Sequence, residues 1–132
     1  EEIYLRNKYS SSKVMFIGPL FENELIKEYH RASCLVIPSL FEPWGLVVNE
    51  ALSSSLPIIS IEKIGANFDL IKSKNTGEIA SDINAFGDIM IKFFNDKKLL
   101  MKYSSNAKYT MQNIWNYNYY ETCLIKALKE IK

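Results

Sequence analysis

Short apolar runs alternate with helix-length segments along the first eighty residues. "KVMFIG" (13–18), "CLVIP" (34–38) and "LPIISI" (56–61) are compact and continuous rather than alternating, as strands covered on both faces are. Between the first two, "LFENELIKEYHRAS" places Leu25, Ile26 and Tyr29 at helical spacing, with Pro19 and Glu22 suited to the helix start. Between the second and third, Leu46, Val47, Glu50, Ala51 and Leu52 suit a helix that opens near Trp44 or Gly45 and ends among the serines. These are two crossovers of a parallel sheet. Ile64, Phe68 and Ile71 then recur at near-helical spacing, and "GEIA" (77–80) predicts an edge strand.

From Asp82 the pattern is helical alone. Asp82 suits an N-cap for a helix with Phe86, Ile89, Met90 and Phe93 on one stripe, and Asn95-Asp96 punctuates it. Leu99, Leu100, Tyr103, Ala107 and Met111 form a second stripe; Leu124, Leu128 and Ile131 form a third after "IWNYNYYE". The expected fold is α/β: a Rossmann-like parallel sheet of about four strands, half of a doubly wound domain, followed by a helical C-terminal tail. The opening "EEIYLRNKYSSSK" reads as the end of a helix without its beginning, the mark of a fragment.

Composition narrows the class. The 132 residues suffice for one domain, 1–132, burying roughly two-thirds of the surface its unfolded form exposes. Hydrophobic and charged fractions of 48% and 23% are those of a globular protein, and no apolar run approaches the roughly 20 residues needed to span a bilayer. With a net charge of +1 there is no long-range field to draw the chain onto nucleic acid, so an anionic ligand must be held by local geometry. Cys34 and Cys123 are far apart, and Cys34 sits in the apolar "SCLVIP"; both read as buried structural thiols in a reducing, cytoplasmic setting.

"PSLFEPWG" (38–45) follows a strand directly and opens a helix, at the sheet edge where ligands of open parallel sheets gather. Ser39, Glu42 and the amides of Gly45, Leu46 and Val47 should face one crevice there. Unpaired amides at a helix start favour a phosphate, and Gly45 lets the backbone approach closely. Glu50 lies about one and a half turns further in, where its two acceptor oxygens would suit the cis-diol of a ribose. A phosphate flanked by two sugars describes a nucleotide sugar. On spacing alone a structural reading stays open, because glutamates near a helix start also gain from the dipole.

"PSLFEPWGLVVNEALSSSLPII" (38–59) resembles the signature of the retaining group 1 glycosyltransferases, nucleotide-sugar-dependent enzymes with two Rossmann-like domains facing a cleft, the GT-B architecture. The likeness extends to "VMFIGPLFENELIKEYHRASCLVIPS", "ISIEKIGANFDLI" and "NIWNYNYYETCLIKAL". The resemblance implies a C-terminal donor-binding domain. In it Glu42 contacts the transferred sugar in the catalytic centre, Glu50 holds the ribose, and the amides of Gly45, Leu46 and Val47, near Ser39, face the diphosphate and sugar. Gly65, after the third strand, reads equally as a simple turn or as a close backbone approach to the donor sugar, while the resemblance also puts Gly18 and Pro19 near the base. It implies a nucleotide-diphosphate sugar as substrate, neither a cofactor nor a metal, and a glycan or lipid-linked acceptor bound through an N-terminal domain. It also implies a cytoplasmic protein, whose full-length form is compatible with peripheral attachment to the inner face of a membrane. Two elements of the family pattern are missing: a first βαβ unit, whose Arg and Lys grip the diphosphate, and the N-terminal domain. Without them this stretch alone is expected to be inactive. Ser55 stands where the family commonly has glycine, and Asp69 where it commonly has glutamate.

The remaining residues carry weaker signals. His30, the single histidine, reads as a solvated side chain at a helix end. Trp115, Tyr117, Tyr119 and Tyr120 read as packing of the final helix against the sheet or against a further domain. Two other functions share this architecture: a nucleotide-sugar epimerase, for which no further acid and base residues stand out, and a non-catalytic interaction or regulatory domain, against which the intact Glu42, Gly45 and Glu50 argue.

Overall fold

The computed structural model describes residues 2–9, 11 and 13–131; Glu1, Ser10 and Ser12 of the opening segment lie outside them. Three strands, β1 (Leu35–Ile37), β2 (Ile58–Ile61) and β3 (Gly77–Ala80), form a parallel sheet in that order. Leu35 pairs with Ile58, and Ile58 with Gly77. The helices are α1 (Glu2–Tyr9), α2 (Glu22–Arg31), α3 (Leu46–Ser53), α4 (Ile83–Asn95), α5 (Lys97–Asn113) and α6 (Tyr117–Glu130), with a π-helical turn at Asn67–Lys72.

The central strand shows why the runs are continuous. Ile58 and Ile59 are both fully buried yet belong to different clusters, because successive side chains leave a strand on opposite faces. Ile58 packs with Val48, Ala51 and Leu52 of α3, Leu70 and Ile71 of the π-helical turn, and Ala107 of α5. Ile59 packs with Phe86 and Phe93 of α4 and Tyr103 of α5. α3 thus covers one face and α4 the other, while α5 reaches both. Asp82 caps α4 as expected: its Oδ1 accepts from the amides of Asn84 at 2.8 Å and Ala85 at 2.9 Å. Asp96 caps α5 through the Leu99 amide at 2.9 Å.

The structure corrects four expectations. Residues 13–18 form no strand, so the sheet has three strands rather than about four: Ser11 and Val14 make an isolated bridge, and Val14, Met15 and Ile17 are exposed. The carbonyl of Phe16 accepts from Arg6 Nη1 at 2.8 Å, which ties this run to α1 instead of to a neighbouring strand. The third stripe is not buried either. α6 has no buried residue, and Leu124, Leu128 and Ile131 are 43%, 59% and 77% exposed. Cys123, on α6, is therefore exposed; both cysteines are free thiols, and burial raises the pKa of Cys34. Met90, on the α4 stripe, is 45% exposed, whereas Phe86 and Phe93 are buried as expected.

Candidate functional site at the mouth of the third helix

Residues 39–50 leave the carboxyl end of β1 and enter α3 through a loop held on its flank by main-chain bonds. The Glu42 amide donates to the Lys63 carbonyl at 2.9 Å, Gly65 donates back to the Glu42 carbonyl at 3.0 Å, and Ala66 donates to the Trp44 carbonyl at 3.0 Å. Glu42 and Ile64 thereby form a parallel bridge beyond the strands proper. Gly65 is required for this contact: a Cβ there would stand 2.1 Å from the Pro43 carbonyl oxygen. Asn67 fixes the other side of the loop after β2. Its Oδ1 accepts from Ser60 Oγ at 2.7 Å, and its Nδ2 donates to the carbonyls of Ile61 at 2.7 Å and Glu62 at 3.1 Å.

Gly45 sits at the helix entrance with φ +89°, a left-handed conformation that glycine adopts without the steric cost other residues meet. A Cβ there would also meet Glu42 Cγ and Ile64 Cγ2, each at 3.2 Å, so Glu42 folds directly over the entrance. No side chain caps α3. The Val48 amide turns back to the Gly45 carbonyl at 2.9 Å, while Leu46 and Val47, as opening residues, have no acceptor within the helix. The arrangement can receive an anion on main-chain nitrogens, with a half-buried carboxylate beside it.

Glu50 emerges one turn on, exposed, and its Oε2 accepts from Tyr29 OH at 2.8 Å. Burial, and secondly the bond to Glu50 and its charge, push the Tyr29 pKa up to about 12. This link between α2 and α3 was missed in the sequence, where Tyr29 counts as an apolar-stripe residue; its one signal was that a half-buried phenol needs a partner for its hydroxyl. Trp44 Nε1 similarly donates to Asn49 Oδ1 at 2.8 Å, and the Trp44 ring stacks on Trp115 at 5.7 Å.

The fold brings Glu42, Gly45, Leu46, Val47 and Gly65 together, with half-buried Ser39 on the same loop two residues beyond β1. Gly18 and Pro19 are exposed on the loop before α2, and the atom nearest a Cβ on Gly18 is Arg6 Nη2 at 4.0 Å. Gly45 is buried and Glu42 half-buried at the helix mouth, and two clefts of about 550 and 850 Å³ elsewhere are lined by neither Glu42, Gly45 nor Glu50.

A family model described as "Glycosyl transferases group 1" matches residues 4–110. The chain belongs to that family. The family match runs through the uncapped helix mouth and both glutamates. Among curated relatives of this glycosyltransferase chain, an uncharacterized glycosyltransferase of Methanocaldococcus jannaschii is 35% identical over 65 residues, 49% of this chain and 16% of the relative. Glycogen synthase of Mycobacterium tuberculosis is 37% identical over 62 residues, 47% of this chain and 15% of the relative. The lipopolysaccharide core biosynthesis mannosyltransferase LpsB of Rhizobium meliloti is 31% identical over 102 residues, 74% of this chain and 28% of the relative. The chain thus spans less than a third of each of these relatives. The crystal structure of WaaG, a glycosyltransferase involved in lipopolysaccharide biosynthesis, superposes with a TM-score of 0.64 at 22% identity, covering 70% of this chain and 25% of WaaG. The fold is that of a GT-B glycosyltransferase domain. No helix among the described residues is long and apolar enough to cross a membrane.

Proposed function

We propose that this glycosyltransferase chain is the C-terminal, donor-binding part of a retaining enzyme and holds a nucleotide-diphosphate sugar across the mouth of α3. The carrying observation is the uncapped entrance itself: a left-handed Gly45 beneath Glu42, leading into first-turn amides with no partner within the helix. The diphosphate sits on the amides of Gly45, Leu46 and Val47, near Ser39. Charge that develops on it as the anomeric bond breaks meets dipoles already in place, without reorganisation and without calling on a metal ion. Glu42 orients the transferred sugar and supports its positive character in the transition state. Glu50 accepts from the ribose hydroxyls, and Tyr29 fixes the carboxylate for that task. Gly18 and Pro19 would approach the base, and Gly65 gives the loop beside the sugar its close backbone packing.

In this reading a further N-terminal domain binds the acceptor, a glycan or lipid-linked saccharide. A titration of the 132-residue chain with UDP, GDP and ADP, followed by amide shifts, tests the proposal. Shifts centred on residues 39–50 that weaken in Glu50→Ala are the expected result. No shift at about 10 mM of any of the three would overturn it and favour an interaction module, since even a weak site should give a millimolar Kd.

A further inference from the structure

The chain has two tryptophans, and the fold stacks them on each other. Trp44 directly precedes the left-handed Gly45 at the mouth of α3, whereas Trp115 lies far along the chain, at the corner joining α5 to α6. Their ring centroids are 5.7 Å apart and their planes 17° from parallel. Trp115 belongs to neither core cluster and is 38% exposed, so this contact adds to the loop at the helix mouth rather than to the burial of the sheet.

The orientation of Trp44 decides where one of the proposed anion-binding amides points. Its carbonyl and the Gly45 N–H belong to a single planar trans peptide and face opposite ways. The carbonyl accepts from the Ala66 amide at 3.0 Å, so the Gly45 N–H is aimed away from the loop that follows β2. The indole is fixed at both ends of its ring system: Nε1 donates to Asn49 Oδ1 at 2.8 Å, one turn inside α3, and the stack on Trp115 covers the ring. Trp115 is the one member of this set that comes from outside α3 and the two loops at its mouth.

The corner offers that ring from a backbone already in place. The Trp115 amide donates to the Thr110 carbonyl at 2.8 Å, beside the Ile114 amide at 2.9 Å, and Thr110 is buried. Asn116 then ties the two helices together. Its Oδ1 accepts from the Tyr119 amide at 2.9 Å, and its Nδ2 donates to the Gln112 carbonyl at 2.7 Å. Electrostatic stabilisation of a developing charge depends on donors that need no reorganisation, and a clamped entrance supplies that. We infer that Trp115 is a positioning residue for the mouth of α3: stacked on Trp44, it holds the peptide plane that aims the Gly45 amide. Its consequence for donor binding rests on the reading of this mouth as the diphosphate site.

The test compares the full chain with Trp115→Ala and Trp115→Phe through two readouts. Without ligand, hydrogen exchange of the Trp44 Nε1–H and the Ala66 amide reports the clamp directly. Losing an aromatic pair should speed both by roughly three- to tenfold in Trp115→Ala, while the amides of β2 keep their protection and Trp115→Phe, which retains a ring, stays within about twofold of wild type. Trp115→Leu, with apolar bulk but no flat ring, gives the same comparison should the alanine variant unfold. Unchanged exchange in the variant without a ring would overturn the inference, whatever nucleotide does. With UDP, GDP and ADP, the same variant should weaken binding about threefold or more, with the shifts still centred on residues 39–50 and with rescue by Trp115→Phe. Faster exchange with undiminished affinity would also overturn it, because the clamp would then position nothing that the ligand uses. If wild type binds none of the three, the donor reading fails by itself, and the exchange result still decides whether Trp115 holds the entrance.

Discussion

Residues 14–17, Val-Met-Phe-Ile, and residues 58–61, Ile-Ile-Ser-Ile, are both short, continuous apolar runs, and they meet opposite fates. Ile58 and Ile59 are fully buried between two layers of helix, whereas Val14, Met15 and Ile17 stay 45%, 76% and 56% exposed. Local composition does not separate them. What separates them is company: β2 has a strand on each side and helices over both faces, while the Phe16 carbonyl is bonded by an arginine of α1. The segment after this run repeats the contrast, since α2 has no buried residue and is joined to the core through Tyr29. A hydrophobic run becomes a strand when neighbours satisfy its ladder and cover its faces.

The same substitution in both runs breaks this comparison most sharply. Ile58→Ala leaves a cavity in a fully buried layer and should cost about 2–5 kcal/mol, whereas Ile17→Ala should stay within about 0.5 kcal/mol. Urea unfolding monitored by circular dichroism measures both, and equal losses would refute the contrast. Gly65→Ala follows in size. It drives a methyl group into the Pro43 carbonyl, 2.1 Å away, so the loops that carry Glu42 must separate; a loss of roughly 2–3 kcal/mol is expected. The amides of Glu42, Gly65 and Ala66 should then exchange with solvent faster, while those of β2 and β3 hold.

Much of this was legible before any coordinates. Strands over 34–38, 56–61 and 77–80, the cap at Asp82, the break at Asn95-Asp96 and the helix opening at Gly45 all follow from local rules of pattern, capping and backbone freedom, and the structure obeys them. Ser55 is an instructive case. The family resemblance marks it as a glycine position, and its φ of +63° shows why: the chain turns left-handed there to enter β2. Ser55→Gly is accordingly expected to raise stability by up to about 1 kcal/mol, visible as an upward shift in Tm. The unreadable part was non-local. Nothing in the order of residues says that Tyr29 reaches Glu50 across 21 positions, that Gly65 meets Pro43, or that α6 leaves the sheet.

The smallest effect concerns how the exposed side of the molecule is fastened to the buried one. Tyr29 on α2 donates to Glu50 at 2.8 Å, and Tyr103 on α5 donates to Glu78 at 2.9 Å. Burial, and secondly the carboxylate bonded to each hydroxyl, push both pKa values up to about 12. A raised value favours the protonated phenol in the folded state. The stabilisation is therefore complete below the ordinary tyrosine pKa of about 10 and is lost as pH climbs through about 12, because the unfolded chain gives up its proton first. Thermal unfolding should accordingly show a decline in Tm across that window, reduced in Tyr29→Phe and in Tyr103→Phe. Each bond is partly open to water, so its removal at neutral pH should cost less than about 1 kcal/mol. The two variants should differ in where the structure loosens. Glu78 keeps Lys92 at 2.6 Å when Tyr103 loses its hydroxyl, and the ring stays packed on Phe93, so α5 amides should keep their protection. Tyr29→Phe removes the bond that joins α2 to α3, so α2 amides should exchange faster while those of α3 stay protected by its buried Val48, Ala51 and Leu52. Equal protection of α2 in wild type and Tyr29→Phe would mean that ring packing alone holds this helix, and that the hydroxyl serves only to orient Glu50.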